Sequence, residues 1–380
     1  MILFILTIFT IYGGVHAYVF LKARSVFAFG PLVGAALGLF MLFMVFAIFL
    51  VRTLETHEYE LPAQMLSYVA YFWMAAVFLF FCGSLLFDGL TLVTRAVGWI
   101  TQNDISSYFI PVKTSFSISL GLALAISAYG YFEAKDIRTE RLVLETAKLP
   151  AGVDRLVIVQ ISDVHLGLIN RRERFSPMMK AVKDANPDLF VVTGDLVDAQ
   201  INHLPGLAEM LRDVTAKYGK YAIMGNHEYY AGPETSRAFI RECGLTLLRD
   251  EVVATGPITI VGVDDRTAVQ LHVGHPSPEK ELLSGLSRDK FVLYLKHQPR
   301  IDPNTIGLFD LQLSGHTHKG QIFPFTVLTR MAFPLNAGNY DLGKGSLLHV
   351  SRGTGTWGPP IRFLAPPEVT IIELVRKPAV

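Results

Sequence analysis

Charge is scarce in this chain: Asp, Glu, Lys and Arg make up 18% of its residues, against about 25% in a typical soluble domain. Neither sign is in excess. A net charge of +1 gives no reason to expect a nucleic-acid partner, because binding a phosphate backbone needs a basic surplus. Cysteine is almost missing as well. Cys82 lies in an apolar run and Cys243 ends a helical stretch far from it, so no disulfide framework is expected and the compartment is not revealed. There is no Gly-rich phosphate loop of the Walker type, no dinucleotide fingerprint, no internal repeat and no low-complexity tract. What the chain has in quantity is apolar surface. Hydrophobic residues reach 51% and the mean hydropathy is +0.37, too high for an ordinary cytosolic enzyme. Its 380 residues leave room for two units.

The apolar residues are concentrated in the first half, in runs at 1–21, 30–51, 63–87 and 115–132. Each is about as long as a helix needs to cross a hydrocarbon core, roughly 18–25 residues. Tyr18, Tyr68, Trp73 and Trp99 near the ends fit an interfacial belt. The mildly amphipathic stretch 89–112 is expected on the membrane surface. Val15-His16-Ala17 resembles a signal-peptide cleavage site, but no Lys or Arg precedes the run, so an uncleaved helix is the better reading. The flanking basic residues divide evenly: Arg52, Lys135, Arg138, Arg141 and Lys148 on one side, Lys22, Arg24, Arg95 and Lys113 on the other. Charge bias therefore chooses no orientation. The expected organisation is a transmembrane region at 1–132, a linker at 133–152 and a catalytic domain at 153–376.

Beyond residue 150 the pattern is different. Short apolar runs (156–161, 189–192, 221–224, 258–263, 291–295, 311–313) alternate with helical stretches near 172–185, 204–216, 233–242 and 277–286. More strands are expected from Ser346 onward. Buried strands separated by amphipathic helices predict an α/β unit, a sheet layered with helices.

The chemistry falls where these runs stop. Asp163-Val164-His165 closes the first run, Gly194-Asp195 the second and Gly225-Asn226-His227-Glu228 the third. Lys296-His297-Gln298 and Gly315-His316-Thr317-His318 close two later ones. In layered α/β folds the C-terminal ends of strands converge on one edge, where ligands bind. Carboxylates, an amide oxygen and imidazoles gathered there suit a pair of divalent metals about 3.5–4 Å apart that clamps a phosphate and activates water. D-x-H or H-x-H on an extended segment puts both side chains on one face. Each motif alone is weak, since a lone Asp-x-His is more often a turn or a helix cap. Their order along the chain, each behind a strand, is what carries the reading.

This series resembles the calcineurin-like metallophosphoesterase superfamily over about residues 150–375. The resemblance implies a four-layer fold, a two-sheet β-sandwich flanked by helices, here preceded by an all-α membrane region of about four helices. It implies one metal held by Asp163, His165, Asp195 and His318, and a second held by Asp195, Asn226, His297 and His316. Asp195 would bridge, and His227 would contact the phosphate and assist the leaving group. The ligand set suits Mn, Fe, Zn or Ni.

The stretches 316–321 and 351–363 bring the chain nearest the bacterial membrane-associated, YkuE-like branch, which commonly has Gly where this chain has Lys319. That likeness implies attack of a metal-bridging hydroxide on a phosphodiester or pyrophosphate, with a lipid-linked substrate as one option, at a bacterial inner membrane. The alternatives are a phosphomonoesterase or a catalytically silent membrane scaffold. Asp198 and Glu228 are candidates to orient neighbouring histidines. Asp264 and Asp265 read as structural, Lys319 as solvent-facing, Arg171, Arg172 and Arg174 as a solvated helix face, and His203, His272, His275 and His349 as loop or surface residues.

Overall fold

The computed structural model describes residues 2–198 and 206–377. The chain forms two compact units that divide between Phe132 and Glu133, with residues 358–361 grouped in the first.

The first unit is α-helical: α1 (Ile2–Phe27), α2 (Pro31–Thr56), α3 (Glu60–Thr101) and α4 (Val112–Glu133). Pro31 occupies the first turn of α2, where its missing N–H costs nothing. Gln102 ends α3 in the left-handed region at φ 53°. Among the described residues three segments are long and apolar enough to cross a membrane: Pro31–Thr56, Glu60–Thr101 and Ser106–Glu133. The expected run 1–21 is covered by α1, and its first residue, Met1, lies outside the described residues. A surface segment is expected at 89–112. Its first part continues α3 to Thr101, because no proline interrupts the helix before Pro111. Polar side-chain contacts tie α1 to α3. Asp88 of α3 accepts from Tyr18 at 2.7 Å and pairs with Lys22, and Trp73 Nε1–H donates to His16 Nε2 at 2.8 Å.

The second unit begins with β1 (Arg138–Thr146), β2 (Arg155–Ile161), α5 (Arg172–Asp184), β3 (Leu189–Thr193), α6 (Leu207–Arg212) and β4 (Lys220–Ile223). It continues through α7 (Asn226–Ala231), α8 (Pro233–Glu242), β5 (Thr246–Leu247), β6 (Glu251–Thr255), β7 (Ile258–Gly262), α9 (Thr267–Gln270) and α10 (Glu279–Ser284). It closes with β8 (Phe291–Leu295), β9 (Leu311–Ser314), α11 (Phe325–Ala332), β10 (Gly338–Gly343), β11 (Ser346–Val350) and β12 (Glu368–Arg376). The strands make two six-stranded sheets, ordered β1-β12-β2-β3-β4-β5 and β10-β11-β9-β8-β7-β6. The central strands β2, β3 and β4, and likewise β7, β8 and β9, run parallel.

Alternation along each strand decides what packs where. Leu156, Ile158, Leu189, Val191, Leu293 and Leu313 face the other sheet and form the core between the two. Their neighbours Val157, Val159, Phe190 and Val192 turn outward onto the helices. α5 meets them with Phe175, Met178, Met179 and Val182, an i, i+3, i+4, i+7 stripe that is fully buried. Each such side chain stabilises the fold by about 1.5–3 kcal/mol on burial. On the opposite side Val261, Val292 and Tyr294 pack with Leu283 of α10.

The expected linker at 133–152 contains a strand. β1 pairs with β12 in parallel register from Arg138↔Glu368 to Thr146↔Arg376. Its Arg-Thr-Glu-Arg start hides it in the sequence, yet charge suits an edge strand with one wet face. Arg141 reaches Glu373 on β12 at 2.7 Å.

Candidate metal centre

The five loops after β2, β3, β4, β8 and β9 meet at one edge of the two sheets. β2 delivers Asp163 and His165, β3 delivers Asp195, and Asn226 and His227 open α7 behind β4. His297 follows β8, and His316 and His318 follow β9. Three groups have one ligand atom from each member within 4.8 Å of the others: Asp163–His165–His318, His165–Asp195–His227 and Asp195–His297–His316. Asn226 joins the last, with Oδ1 at 2.8 Å from His316 Nδ1 and 3.2 Å from His297 Nε2. All the residues singled out for the site therefore stand in one cluster.

The backbone is bent hard to bring them there. Asp163, His165, Asp195, His316 and His318 all have φ between 48° and 72°, a left-handed conformation that non-glycine residues rarely adopt and that gathers at functional sites. Two glycines make room. A Cβ on Gly315 would overlap Ser162 Oγ and the Asp163 carboxylate, and one on Gly225 would overlap Asp195 Oδ1.

Hydrogen bonds then fix each side chain. Asp163 accepts from the backbone N–H of His316 at 2.8 Å, which ties the first loop to the last. Asp195 Oδ1 accepts from the backbone N–H of His227 at 2.8 Å. His297 Nδ1–H donates to the Thr193 carbonyl at 2.8 Å, which directs Nε2 toward Asp195 Oδ2 at 3.2 Å. Elsewhere the cluster has acceptors in surplus. His165 Nε2 and His318 Nε2 face each other at 3.0 Å, and His316 Nδ1 and His297 Nε2 at 3.3 Å. One proton at most can sit between each pair, so buried carboxylates and imidazoles converge with too few donors. Divalent cations supply what such a set lacks, and the residues present fit them.

The electrostatics agree. Burial, and behind it His297, pushes His316 down to about 3. Burial with His165 and Arg362 nearby pushes His318 well below the usual imidazole range. Both rings therefore stay neutral and keep lone pairs for a cation. Burial works to raise Asp195, but His297 and His227 outweigh it and hold the carboxylate ionised.

Among the neighbouring residues, Asp198 takes the orienting role expected of it. Its Oδ1 lies 3.0 Å from His227 Nδ1 and 3.4 Å from His165 Nδ1. Glu228 does something else. Instead of a histidine it takes the backbone N–H groups of Asp195, Val197 and Gly225, at 2.9, 3.1 and 2.7 Å, capping α7 and locking two ligand loops together. Asp264 pairs with Arg249, and Asp265 caps the turn at Thr267. His272 and His275 are exposed, and His203 lies outside the described residues, as do 199–205 at the start of the helix expected at 204–216. His349 is not a surface residue: on β11 it is buried against Asn339, Glu368 and Thr370. Lys319 is half-buried rather than solvent-facing, and burial and Arg352 lower its pKa. At the start of α5 Arg172 is exposed, while Arg171 and Arg174 are half-buried.

Four residues at the site went unassigned in the sequence. Asn170 clamps the first loop through Nδ2 to the carbonyls of Val164, His165 and Thr356. Arg362 is completely buried, donates to the carbonyls of Gly353, Gly355, Arg352 and Ala365, and lies 3.2 Å from His318 Nδ1. Tyr230 and Trp357 set their rings edge-on to His227, with centroids at 5.5 and 5.9 Å. Trp357 and Arg362 lie within the 351–363 stretch and Tyr230 lies two residues beyond Glu228, so nearness to a motif was the one signal they carried.

Residues 156–320 match the family model for calcineurin-like phosphoesterases. A metallophosphoesterase of Aquifex aeolicus is 39% identical over 259 residues, which are 67% of this chain and 98% of that relative. The chain belongs to the calcineurin-like metallophosphoesterase family. Membership makes it, in class, a metal-dependent phosphoester hydrolase. The YkuE metallophosphoesterase of Bacillus subtilis is 32% identical over 68% of this chain and 93% of its own length. A zebrafish (Danio rerio) transmembrane protein with metallophosphoesterase domain is 30% identical over 68% of this chain and 62% of its own. Together with the three apolar helices, that likeness marks this metallophosphoesterase as membrane-associated. Among solved structures a 5'-nucleotidase precursor from Thermus thermophilus aligns at a TM-score of 0.34 and 16% identity, over 58% of this chain and 54% of that one.

Proposed function

We propose that this metallophosphoesterase hydrolyses a phosphodiester or pyrophosphate bond in a lipid-linked substrate, using two divalent metals drawn from Mn, Fe, Zn or Ni. Asp163, His165, Asp195 and His318 would hold one, and Asp195, Asn226, His297 and His316 the other. The observation that carries this reading is the sharing of Asp195 between two donor groups, one with His165 and His227 and one with His297 and His316. When bound, such a pair supplies charge to the phosphoryl oxygens and lowers the pKa of water.

The protein's own groups account for the rest. Burial would lower the His227 pKa, but the Asp195 charge and the Asp198 hydrogen bond raise it to about 9. The Asp198 carboxylate at Nδ1 favours the protonated ring, which would supply a proton to the departing alkoxide. Asp198 holds Nδ1, so the imidazole stays in one orientation. Tyr230 and Trp357 wall the ring on the open side, each about half exposed. The lipid-linked character rests on the apolar helices in the same chain.

The test uses the full-length chain in lipid nanodiscs with Mn²⁺, assayed on bis-aryl phosphate, mono-aryl phosphate and a panel of lipid phosphodiesters and pyrophosphates. Asp195→Asn serves as the inactive control. Preference for the diesters and lipid pyrophosphates is expected. Faster turnover of the monoester turns the assignment to a phosphomonoesterase, and no turnover with less than one metal per chain turns it to a silent scaffold.

A further inference from the structure

One helix of the catalytic unit is built inside out. α11 carries Phe325, Val327, Leu328 and Met331 on a single outward arc, and they are 43%, 53%, 56% and 77% exposed. Phe323, just before it, is 44% exposed. The inward side is the polar one: Thr326 Oγ1 donates to the Lys319 carbonyl at 2.9 Å and Thr329 Oγ1 to that of Phe325 at 3.2 Å. In α5 of the same unit the stripe is reversed, with its apolar residues buried. An apolar surface turned to water, as at Val327, Leu328 and Met331, marks a place that something else covers.

We propose that the outward face of α11, with Phe323, seats in a lipid leaflet as a second membrane contact of this chain, beside the metal centre. Three observations choose lipid over another occupant. The chain carries helices long enough to cross a bilayer, and the last of them, α4, ends at Glu133, with β1 starting at Arg138. A bilayer is thus within covalent reach of this unit. From residue 311 to residue 340 there is no Asp or Glu, while Lys319 and Arg330 are present, so the segment suits anionic headgroups. Arg330 is exposed beside the apolar arc, as expected of a helix lying in the interface plane.

The contact also bears on the substrate, and there it rests on the lipid-linked reading above. α11 hangs from the loop that carries His316 and His318. Phe333, directly after it, packs its ring against His316 with centroids 4.9 Å apart, and Thr317 Oγ1 donates to the Asn336 carbonyl. A leaflet holding α11 would present its headgroups to the loop that holds two of the metal-ligand candidates.

The test has two arms on the full-length protein in nanodiscs containing anionic lipid. A nitroxide is placed at Met331→Cys, and for comparison at exposed Lys280→Cys on α10, with Cys82 and Cys243 replaced by alanine. The expected result is that oxygen relaxes the label at 331 more than a water-soluble nickel chelate does, with the opposite order at 280. Equal nickel access at the two positions overturns the proposal. So does spin–spin broadening that grows with the labelled fraction, which would put a second copy of the chain on this face.

In the second arm Val327→Glu with Met331→Glu lowers turnover of a vesicle-embedded lipid phosphodiester by about tenfold or more, the value of about one apolar side chain's burial. Turnover of soluble bis-aryl phosphate stays within about twofold, since neither residue touches the metal-ligand cluster. A buried label combined with full lipid turnover in the double variant upholds the membrane contact and overturns its bearing on the substrate, whereas a buried label with no lipid turnover even in the unsubstituted protein overturns the lipid-linked reading alone.

Discussion

At the floor of the metal centre Asp163, Asp195 and Glu228 are almost without solvent exposure, and each accepts hydrogen bonds from the backbone of a neighbouring ligand loop. At the mouth Tyr230 and Trp357 each meet His227 through ring edges, and the two aromatics are half exposed. The floor is a lattice of mutual constraints in which no residue can shift alone. The mouth is a set of neighbours that touch without fixing one another. The difference separates two properties that substitutions should be able to pull apart, holding metal and turning over substrate.

The largest effect is expected on the floor. Gly315→Ala would drive a methyl group into Ser162 Oγ and the Asp163 carboxylate, displacing the loops of Asp163 and His316 together. A misplacement of about 1 Å costs about 10²-fold in rate, so two displaced ligand loops should cost about 10³-fold or more in kcat/KM. Metal content measured by elemental analysis should fall with it. A variant that keeps two metals and a tenth of wild-type activity would remove the distinction between floor and mouth.

His227→Gln is the counterpart at the mouth. Loss of a positioned acid should lower kcat by about 10²–10⁴-fold on an alkyl diester, and by much less on an aryl ester whose leaving group needs no proton. Metal content and thermal melting should stay at wild-type values. An equal loss on both esters, or loss of metal, would place His227 among the ligands instead.

Glu228→Gln returns to the floor and tests stability. Its carboxylate accepts three backbone N–H bonds within one buried corner. Charge-assisted bonds contribute about 1.5–3 kcal/mol each, and the amide keeps one accepting oxygen, so a loss of about 2–4 kcal/mol is expected. Chemical denaturation of the full-length protein in nanodiscs would read it. A shift under about 0.5 kcal/mol, within the range of ordinary surface changes, would show that the loops are held some other way.

These expectations also show what the sequence could disclose. Asp163, His165, Asp195, His297, His316 and His318 could be read as one candidate cluster because each follows a buried apolar strand and the placement recurs in order along the chain. β2, β3, β8 and β9 were legible as unbroken apolar runs. β1 was not, since an edge strand with a wet face tolerates Arg138, Glu140 and Arg141, which read as linker. His349 was misplaced because its partner Glu368 is nineteen residues away on a strand of the other sheet and meets it only where the two sheets pack. Glu228 looked like a partner for a histidine, but only the fold reveals three backbone donors converging on it. Arg362 and Asn170 are of the same kind, side chains whose work is done on carbonyls brought in from distant loops.

Lys319 gives the smallest effect and the finest test of where the floor ends. Its backbone sits in the left-handed region at φ 53°, next to His318 at 48°. Such a backbone favours glycine. A non-glycine residue there costs about 1–2 kcal/mol, while glycine gives back about 0.5–1 kcal/mol through its extra freedom when unfolded. Lys319→Gly should therefore stabilise the protein by roughly 0.5–1 kcal/mol, seen as a small rise in the melting temperature. If the lysine is only a tolerated side chain, kcat/KM changes by less than about twofold on every substrate, within the scatter of neutral surface changes. A selective loss on multiply charged substrates, with the same gain in stability, would make Lys319 a substrate contact and extend the mouth to the loop that carries His316 and His318.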